Sequence, residues 1–352
     1  MTDSIWWGTF PEAGNGTPAG LGEGLWRESA GAPVLALELP APAFVVRHPS
    51  LPLLYVITES DDSAVHAIDV SDPEAPVLVA TVPTGGRAGC HLLLAPDARA
   101  LYACHYMSGD VAVVALGEDG LPAAATPDQV FGHEGSGPNA DRQEAPHAHF
   151  AGFAPGQRHL LVCDLGTDEL RRYAVGADGL LAGDGIAATL PAGAGPRHFA
   201  VRGDRLYVAC ELDNQLRVLR WDGASATAEV IQELQSTAAA NRTGEAGLQD
   251  GHILIHGDVL LIAVRGADVI SLFDLSPEGD ARYRTCFDVG HWPRHFAIGD
   301  DRLLVACERG HEVRSYALAD VLALPPEHEV GEVAQVTHAS APVPSPACAC
   351  PA

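Results

Sequence analysis

A strand-turn-strand phrase recurs six times along the chain, and this repetition limits the possible folds more than any other feature. Its apolar cores begin at Leu54, Leu101, Leu160, Leu206, Leu260 and Leu303. Successive cores lie 47, 59, 46, 54 and 43 residues apart, a period typical of β-propeller blades and longer than that of helical solenoids. Each core is apolar at consecutive positions, as expected for a strand covered on both faces. The sequence therefore predicts an all-β propeller.

Six blades are directly visible, and the two chain ends can supply one more. Ile5 to Phe10 reads as a strand, and closing the ring through the chain ends would remove exposed sheet edges. We therefore predict a single domain over residues 1–322, a seven-bladed β-propeller closed by the N- and C-terminal strands. Residues 323–352 are rich in Pro and Ala without a strand pattern, so we expect a disordered tail there.

The charge of the chain excludes several classes of partner and cofactor. Acidic residues outnumber basic ones by 46 to 21, and the net charge of -25 disfavours nucleic acid and membrane surfaces as partners. All the basic residues are arginines, which excludes Schiff-base and pyridoxal chemistry and the phosphate-loop lysine, and we expect no cofactor. No apolar run approaches the ~18 residues of a membrane helix, and the first ten residues lack a signal-peptide pattern, so we expect a cytoplasmic protein.

The eight cysteines read as buried thiols rather than as a disulfide framework. Cys104, Cys163, Cys210 and Cys307 fall inside apolar strand-like runs, not in loops. Cys348 and Cys350 form a C-x-C pair with no matching second pair, and we assign them to the disordered tail rather than to a metal site.

A histidine precedes each apolar core, and the one in the third repeat belongs to a pair. These residues are His48, His91, His149, His198, His252 and His295. His147 and His149 would point to the same face of a strand and could chelate zinc together with a third ligand. Because a histidine recurs in six repeats, a structural role is favoured, and we predict no metal. Serine-nucleophile, H-E-x-x-H and phosphate-loop motifs are missing from the sequence.

Arginine and glutamate recur at matching positions of two near-identical phrases. GPRHFAVRGDRLYVACE contains Arg197 and Glu211, whereas WPRHFAIGDDRLLVACE contains Arg294 and Glu308. Arg265 takes the glutamate position in the intervening repeat. Such residues can form buried ion pairs between blades. Three arginines at one mouth of an acidic protein favour an anion-binding site instead, since guanidinium groups bind carboxylate and phosphate.

These phrases resemble the lactonase family of seven-bladed β-propellers, which includes propeller-type 6-phosphogluconolactonases and fungal carboxy-cis,cis-muconate cyclases. The resemblance runs from Trp7 to about Tyr316. Its most specific part is GSGPNADRQEAPHAHF (135–150), followed by DLGTDELRRY (164–173). The fifth repeat departs from the family pattern, because it has Gln249-Asp250-Gly251-His252.

The resemblance implies metal-independent hydrolysis of a small anionic sugar lactone, with 6-phosphogluconolactone of the pentose phosphate pathway as the expected substrate. It places His147, Arg197, Glu211 and Arg265 at the family's proposed active site, with Arg294 close by. His147 is then the candidate general base, and Glu211 either orients it or takes that role itself. Arg197 would hold the oxyanion. The expected substrate-binding residues are Arg265, Arg294, His149 and His198.

Three other functions stay open at this point. An isomerase or cyclase acting on a muconolactone would need the same carboxylate-binding arginines. A non-catalytic propeller that displays loops to protein partners would have a mouth without clustered arginines. A metal-dependent, six-bladed gluconolactonase fits the predicted blade count poorly.

Overall fold

The computed structural model describes residues 4–10, 24–29, 31–244 and 247–351. The strands up to residue 189 are β1 (Ile5–Thr9), β2 (Gly24–Glu28), β3 (Val34–Glu38), β4 (Pro42–Arg47), β5 (Leu53–Thr58), β6 (Ala64–Asp69), β7 (Val77–Pro83), β8 (Gly89–Leu94), β9 (Ala100–His105), β10 (Val111–Ala115), β11 (Gln129–Phe131), β12 (Ala148–Phe153), β13 (His159–Asp164), β14 (Glu169–Val175) and β15 (Leu181–Thr189).

The remaining strands are β16 (Pro196–Arg202), β17 (Arg205–Cys210), β18 (Gln215–Asp222), β19 (Thr227–Gln235), β20 (Gln249–His256), β21 (Val259–Arg265), β22 (Val269–Leu275), β23 (Ala281–Asp288), β24 (Pro293–Gly299), β25 (Arg302–Cys307), β26 (Glu312–Ala317), β27 (Val333–Ala334), β28 (His338–Pro342) and β29 (Pro346–Cys350). The short helical segments are a 3-10 turn (Glu308–Gly310) and α1 (Leu318–Leu322). No helix in the described ranges is long and apolar enough to cross a membrane.

These strands form seven sheets, which are the seven blades of a β-propeller. Blades 1 to 4 are β4 to β7, β8 to β11, β12 to β15 and β16 to β19. Blade 5 is β20 to β23 with β27 added parallel to β23, and blade 6 is β24, β25, β26 and β28. Blade 7 has the order β29-β1-β2-β3. The first strand of each blade in this order contacts the first strand of the next, so these seven strands surround the central channel.

Blade 7 closes the ring by joining the two ends of the chain. Strand β29 pairs antiparallel with β1, with Trp6 opposite Cys350 and Trp7 opposite Ala349. This pairing confirms the predicted all-β, seven-bladed propeller and its closure by terminal strands.

The prediction of a strandless, disordered tail over residues 323–352 is wrong. Strand β28 forms the outer strand of blade 6, and β29 forms the inner strand of blade 7 with all five residues buried. Cys348 and Cys350 therefore lie in the core rather than in a loose tail. The small side chains of this segment suit the narrow space beside β1 and β4, so the Pro/Ala composition reflects tight packing between neighbouring strands.

Apolar clusters between neighbouring blades form the core, and a repeated tyrosine fastens one blade to the next. The hydroxyls of Tyr55, Tyr102 and Tyr207 donate to the carbonyl oxygens of Gly120, Gly179 and Gly279 at 2.6, 2.8 and 2.7 Å. Each acceptor glycine has a positive φ, between 76° and 92°, in a turn of the following blade. All eight cysteines are buried and free, as predicted for Cys104, Cys163, Cys210 and Cys307.

Candidate active site

The innermost strand of every blade contains an extra residue near its start. These bulged residues are Ala43, Cys90, His149, Arg197, Gly251, Arg294 and Ala347. A β-bulge changes the direction of a side chain relative to the regular pleat. Four of the bulged side chains, namely Cys90, His149, Arg197 and Arg294, line one cavity at the mouth of the channel. In four of the seven blades the bulge thus places a side chain in the cavity at the mouth.

A second ring of equivalent residues lies at or just after the end of the second strand of each blade. Its members are Phe10, Glu59, Tyr106, Leu165, Glu211, Arg265 and Glu308. Except at Arg265, each backbone amide donates to a carbonyl just before the innermost strand, which fixes the residue at the mouth. Glu59, Tyr106, Glu211 and Arg265 line the same cavity as the bulged residues.

The cavity has a volume of about 390 Å³. Besides the residues of the two rings, it is lined by Met107, Asp141, Arg142, Glu144, His147, Gln249, Trp292 and Arg309. The structure therefore brings His147, His149, Arg197, Glu211, Arg265 and Arg294 together around one cavity. His198 is not among the lining residues of the described chain.

Glu211 is the centre of a buried ion-pair network. One carboxylate oxygen accepts from Nε of Arg197 at 2.9 Å and from a terminal nitrogen of Arg265 at 2.6 Å. The other oxygen accepts from Arg142 at 2.6 Å. Burial opposes ionisation, but Arg265, Arg142 and Arg197 together hold the pKa of Glu211 well below its usual range. Glu211 is therefore a carboxylate at neutral pH and a poor proton acceptor.

Arg142 lines the cavity but was not among the site residues predicted from the sequence. It lies in the long loop before β12, donates to the Tyr106 hydroxyl at 3.2 Å, and pairs with Glu211. The sequence signal was its place in the family-like phrase GSGPNADRQEAPHAHF, but its position in a loop hides which blade it faces. Counting it, three guanidinium charges surround the single carboxylate of Glu211.

His147 is held by its backbone and by one ring nitrogen. Its Nδ1 is 2.7 Å from the carbonyl oxygen of Tyr106, and its ring stacks on that of Tyr106 at 4.3 Å between centroids. Because a carbonyl oxygen can only accept, Nδ1 carries a proton. Nε2 lies 3.3 Å from a carboxylate oxygen of Glu144, which is half exposed. Glu211, expected to orient His147, uses both oxygens on arginines instead, and the carboxylate beside His147 is Glu144.

Two aspartates of the DLGTD phrase explain why this stretch is so specific in sequence. Asp164 accepts from the backbone amide of His147 at 2.9 Å and from those of Gly166 and Thr167 at 2.9 and 3.0 Å. Asp168 accepts from the amide of Gly195 and from the side chain of Gln143, at 2.7 and 2.8 Å. These bonds fix the His147 loop to the turn that precedes Arg197.

On another side of the cavity, Arg294 lies between two glutamates and an aromatic ring. Its terminal nitrogens are 3.3 Å from Glu308 and 3.5 Å from Glu59, and its guanidinium carbon is 4.0 Å from the centre of the Phe10 ring. Burial opposes its charge, but Glu308 and Glu59 raise the pKa of Arg294. Its positive charge is thus already compensated within the protein.

Four histidines and two phenylalanines form a closed aromatic belt one residue deeper in the channel. The order around the belt is Phe44, His91, Phe150, His198, His252 and His295, with neighbouring ring centroids 4.2 to 5.3 Å apart. His48 and His149, which were aligned with these histidines from the sequence, lie elsewhere. Phe44 and Phe150 occupy the equivalent positions, and His149 is displaced by the bulge.

His198 supports Arg197 from behind rather than facing the cavity. A terminal nitrogen of Arg197 donates to Nε2 of His198 at 3.1 Å, and Nδ1 of His198 lies 2.9 Å from Nδ1 of His252. Burial, together with the charge of Arg197, lowers the pKa of His198 well below its usual value, so the ring is neutral. The expected substrate contact of His198 is replaced by a contact with the arginine.

Chemically, the cavity combines a histidine with clustered cations and a closed ring of supporting strands. Within the described ranges, no group of three or more His, Cys, Asp or Glu side chains has an arrangement that could hold a metal ion. The fold and the site together define a seven-bladed propeller whose polar, arginine-rich cavity lies at one mouth of the channel and contains a loop-borne histidine.

The chain belongs to the family described as lactonase, 7-bladed beta-propeller, whose profile matches residues 29–348. A 6-phosphogluconolactonase of Bacillus subtilis is 30% identical over 282 residues, which are 77% of this chain and 78% of that protein. A solved structure from Lactobacillus plantarum superposes with a TM-score of 0.81 at 20% identity, over 99% of both chains. The periplasmic gluconolactonase of Pseudomonas aeruginosa has a TM-score of 0.80 at 23% identity, over 99% of this chain and 98% of that one.

Proposed function

We propose that this protein hydrolyses a sugar lactone without a metal ion, with 6-phosphogluconolactone as its substrate. The observation that carries the proposal is a single cavity that holds His147, with its Nε2 3.3 Å from Glu144, beside three arginines clustered on Glu211. The family and the name of the Bacillus subtilis relative support lactone hydrolysis. The cytoplasm stays the predicted location.

In this proposal His147 is the general base. With Nδ1 protonated and donating to Tyr106, neutral His147 presents the lone pair of Nε2, which can remove a proton from water. After that transfer, the imidazolium donates to Tyr106 through Nδ1 and to Glu144 through Nε2. Glu144 thus stabilises the charged form of the base that arises when water attacks.

The arginines around Glu211 supply the positive charge that the reaction needs. Three guanidinium groups against one carboxylate leave an excess of two positive charges on this side of the cavity. Burial and the neighbouring charge of Arg265 lower the pKa of Arg197 to about 9, so Arg197 remains cationic at neutral pH. We assign Arg197 to the oxyanion of the lactone carbonyl, and Arg142 and Arg265 to the anionic group of the substrate.

This clustering argues against a non-catalytic propeller, for which we expected a mouth without grouped arginines. The clustering also changes one expected role. Arg294 was expected to bind the anionic group of the substrate, and we now assign that contact to Arg142 and Arg265. Glu308 already balances the charge of Arg294, whereas the cluster on Glu211 has charge in excess.

The proposal is tested by comparing kcat/KM for 6-phosphogluconolactone, unphosphorylated gluconolactone and a muconolactone. We expect the phosphorylated lactone to be the best substrate. In Arg142→Gln, kcat/KM for this substrate should fall about tenfold or more, with a smaller fall for gluconolactone, because one of three cations is lost. The exposed Arg220→Gln on β18 serves as the control and should leave both values unchanged. Preference for the muconolactone, or equal falls in Arg142→Gln for both sugar lactones, would contradict the assignment.

A further inference from the structure

The proposed hydrolysis leaves one proton unassigned. When the tetrahedral intermediate collapses, the bond between the carbonyl carbon and the ring oxygen breaks, and the departing alkoxide is a strong base. An acid that protonates this oxygen during bond cleavage lowers the barrier, and such proton transfers typically contribute ~10²- to 10⁴-fold. Among the groups assigned so far, only the His147 imidazolium formed in the first step carries such a proton, and its two ring nitrogens face Tyr106 and Glu144.

The side chain of Glu59 lies in the candidate active-site cavity and has no role in the hydrolysis as described above. It follows β5 in blade 1, lines the cavity together with His147 from the loop before blade 3, and is only 5% exposed. Its position is equivalent to that of Glu211 in blade 4. The two carboxyl groups have opposite surroundings, however, because Glu211 contacts three arginines and Glu59 contacts Arg294, which also pairs with Glu308.

These surroundings keep Glu59 protonated at higher pH than an ordinary glutamate. Burial raises the pKa of Glu59 from 4.5 to about 7; Arg294 and the more distant Arg197 lower it, and Glu308 raises it. The buried thiol of Cys90, which lines the same cavity, keeps its proton, because burial raises its own pKa. Two carboxyl groups in one cavity with pKa values displaced in opposite directions are typical of sites in which one donates a proton and the other remains charged.

We propose that Glu59 is a catalytic residue, the general acid that protonates the ring oxygen of the lactone as it leaves. The proposal rests on lactone hydrolysis as the function. Water attacks the carbonyl carbon while His147 takes one water proton, and the C–O bond then breaks with its electron pair passing to the ring oxygen. Glu59 gives that oxygen its proton. The products are a hydroxy acid, the Glu59 carboxylate and the His147 imidazolium, and proton exchange with solvent restores both groups.

The test compares D-glucono-1,5-lactone with its 5-thio analogue, in which sulfur replaces the ring oxygen. A thiolate is a far weaker base than an alkoxide and leaves without a proton, so only the oxygen lactone needs the acid. Glu59→Gln keeps the size of the side chain but cannot donate a carboxyl proton. We expect its kcat for the oxygen lactone to fall ~10²-fold or more, while kcat for the thiolactone changes less than about threefold.

Glu308→Gln is the matched control, because Glu308 shares Arg294 with Glu59 and holds the equivalent position in blade 6. Glu308 is not one of the described residues that line the cavity. Any effect of disturbing Arg294 in this variant should therefore be similar for both lactones. The folded state of each variant is checked by its thermal unfolding midpoint.

The pH profile gives a second measurement. Because the acid must be protonated, wild-type kcat for the oxygen lactone should fall as pH rises through about 7, and this fall should be missing in Glu59→Gln and with the thiolactone. Equal losses on both lactones in Glu59→Gln, or nearly normal kcat for the oxygen lactone, would overturn the assignment of Glu59. A wild-type enzyme inactive on 6-phosphogluconolactone as well as on these two lactones would instead overturn the proposed function.

Discussion

At the scale of single residues, the cavity separates two glutamates that hold equivalent blade positions. Glu211 is stabilised as an anion by three arginines, whereas burial has the largest influence on Glu59, which contacts Arg294. The pKa of the same residue type at the same backbone position is thus shifted in opposite directions. Packing and neighbouring charge, rather than local backbone geometry, decide between them.

The raised pKa of Glu59 predicts a pH-dependent stability difference. A folded-state pKa above the unfolded value means that the native state binds the proton more tightly, so this group lowers stability as pH rises from 4.5 to about 7. Glu59→Gln removes that loss. We expect its stability relative to wild type to be greater at pH 8 than at pH 4.5 by up to roughly 3 kcal/mol, measured by urea unfolding at each pH. A difference that does not depend on pH would contradict the assigned pKa.

The residue types at the site could be predicted from the sequence, but the directions in which their side chains point could not. The repeat brought Arg197, Glu211 and Arg265 to one mouth because equivalent blade positions face the same end. The bulges are invisible in the repeat pattern, because one extra residue leaves the apolar cores unchanged. For this reason His149 was aligned with His198. His149 lines the cavity, however, whereas His198 belongs to the aromatic belt.

At the scale of secondary-structure elements, β29 is the strand that closes the ring. It fills the space between β1, β4 and β24, and all five of its residues are buried. The sequence did not reveal it, because Pro, Ala and Cys lack the branched and aromatic side chains that mark a strand. Its strand conformation comes from pairing with β1, a partner more than 330 residues away in sequence.

Removing β29 should therefore destabilise the whole propeller. Deleting residues 346–352 would leave β1 with an open edge and expose the apolar surface beside it. We expect a loss of at least about 3 kcal/mol in unfolding free energy, or aggregation, as seen by thermal unfolding and size-exclusion chromatography. Cys350→Ala keeps the strand and should lower the midpoint only slightly. An unchanged midpoint after the deletion would show that the ring does not depend on this strand.

At the scale of the whole molecule, seven-fold repetition explains how an acidic protein builds a cationic site. The net charge is -25, yet equivalent positions in different blades converge on one mouth, and arginines from blades 4 and 5 meet there with Arg142 from the loop before blade 3. Glu211 at the same mouth pairs with these three arginines, but its single negative charge offsets only one of their positive charges. The belt of aromatic rings beneath supports Arg197 through His198.

The central claim is that His147 acts as a general base in metal-independent lactone hydrolysis. The most direct measurement is kcat for 6-phosphogluconolactone with the wild type and with His147→Gln, each with and without EDTA, after confirming equal thermal midpoints. We expect a fall of ~10²-fold or more in His147→Gln and no effect of EDTA on the wild type. Nearly normal kcat in His147→Gln, or loss of wild-type activity with EDTA, would contradict it.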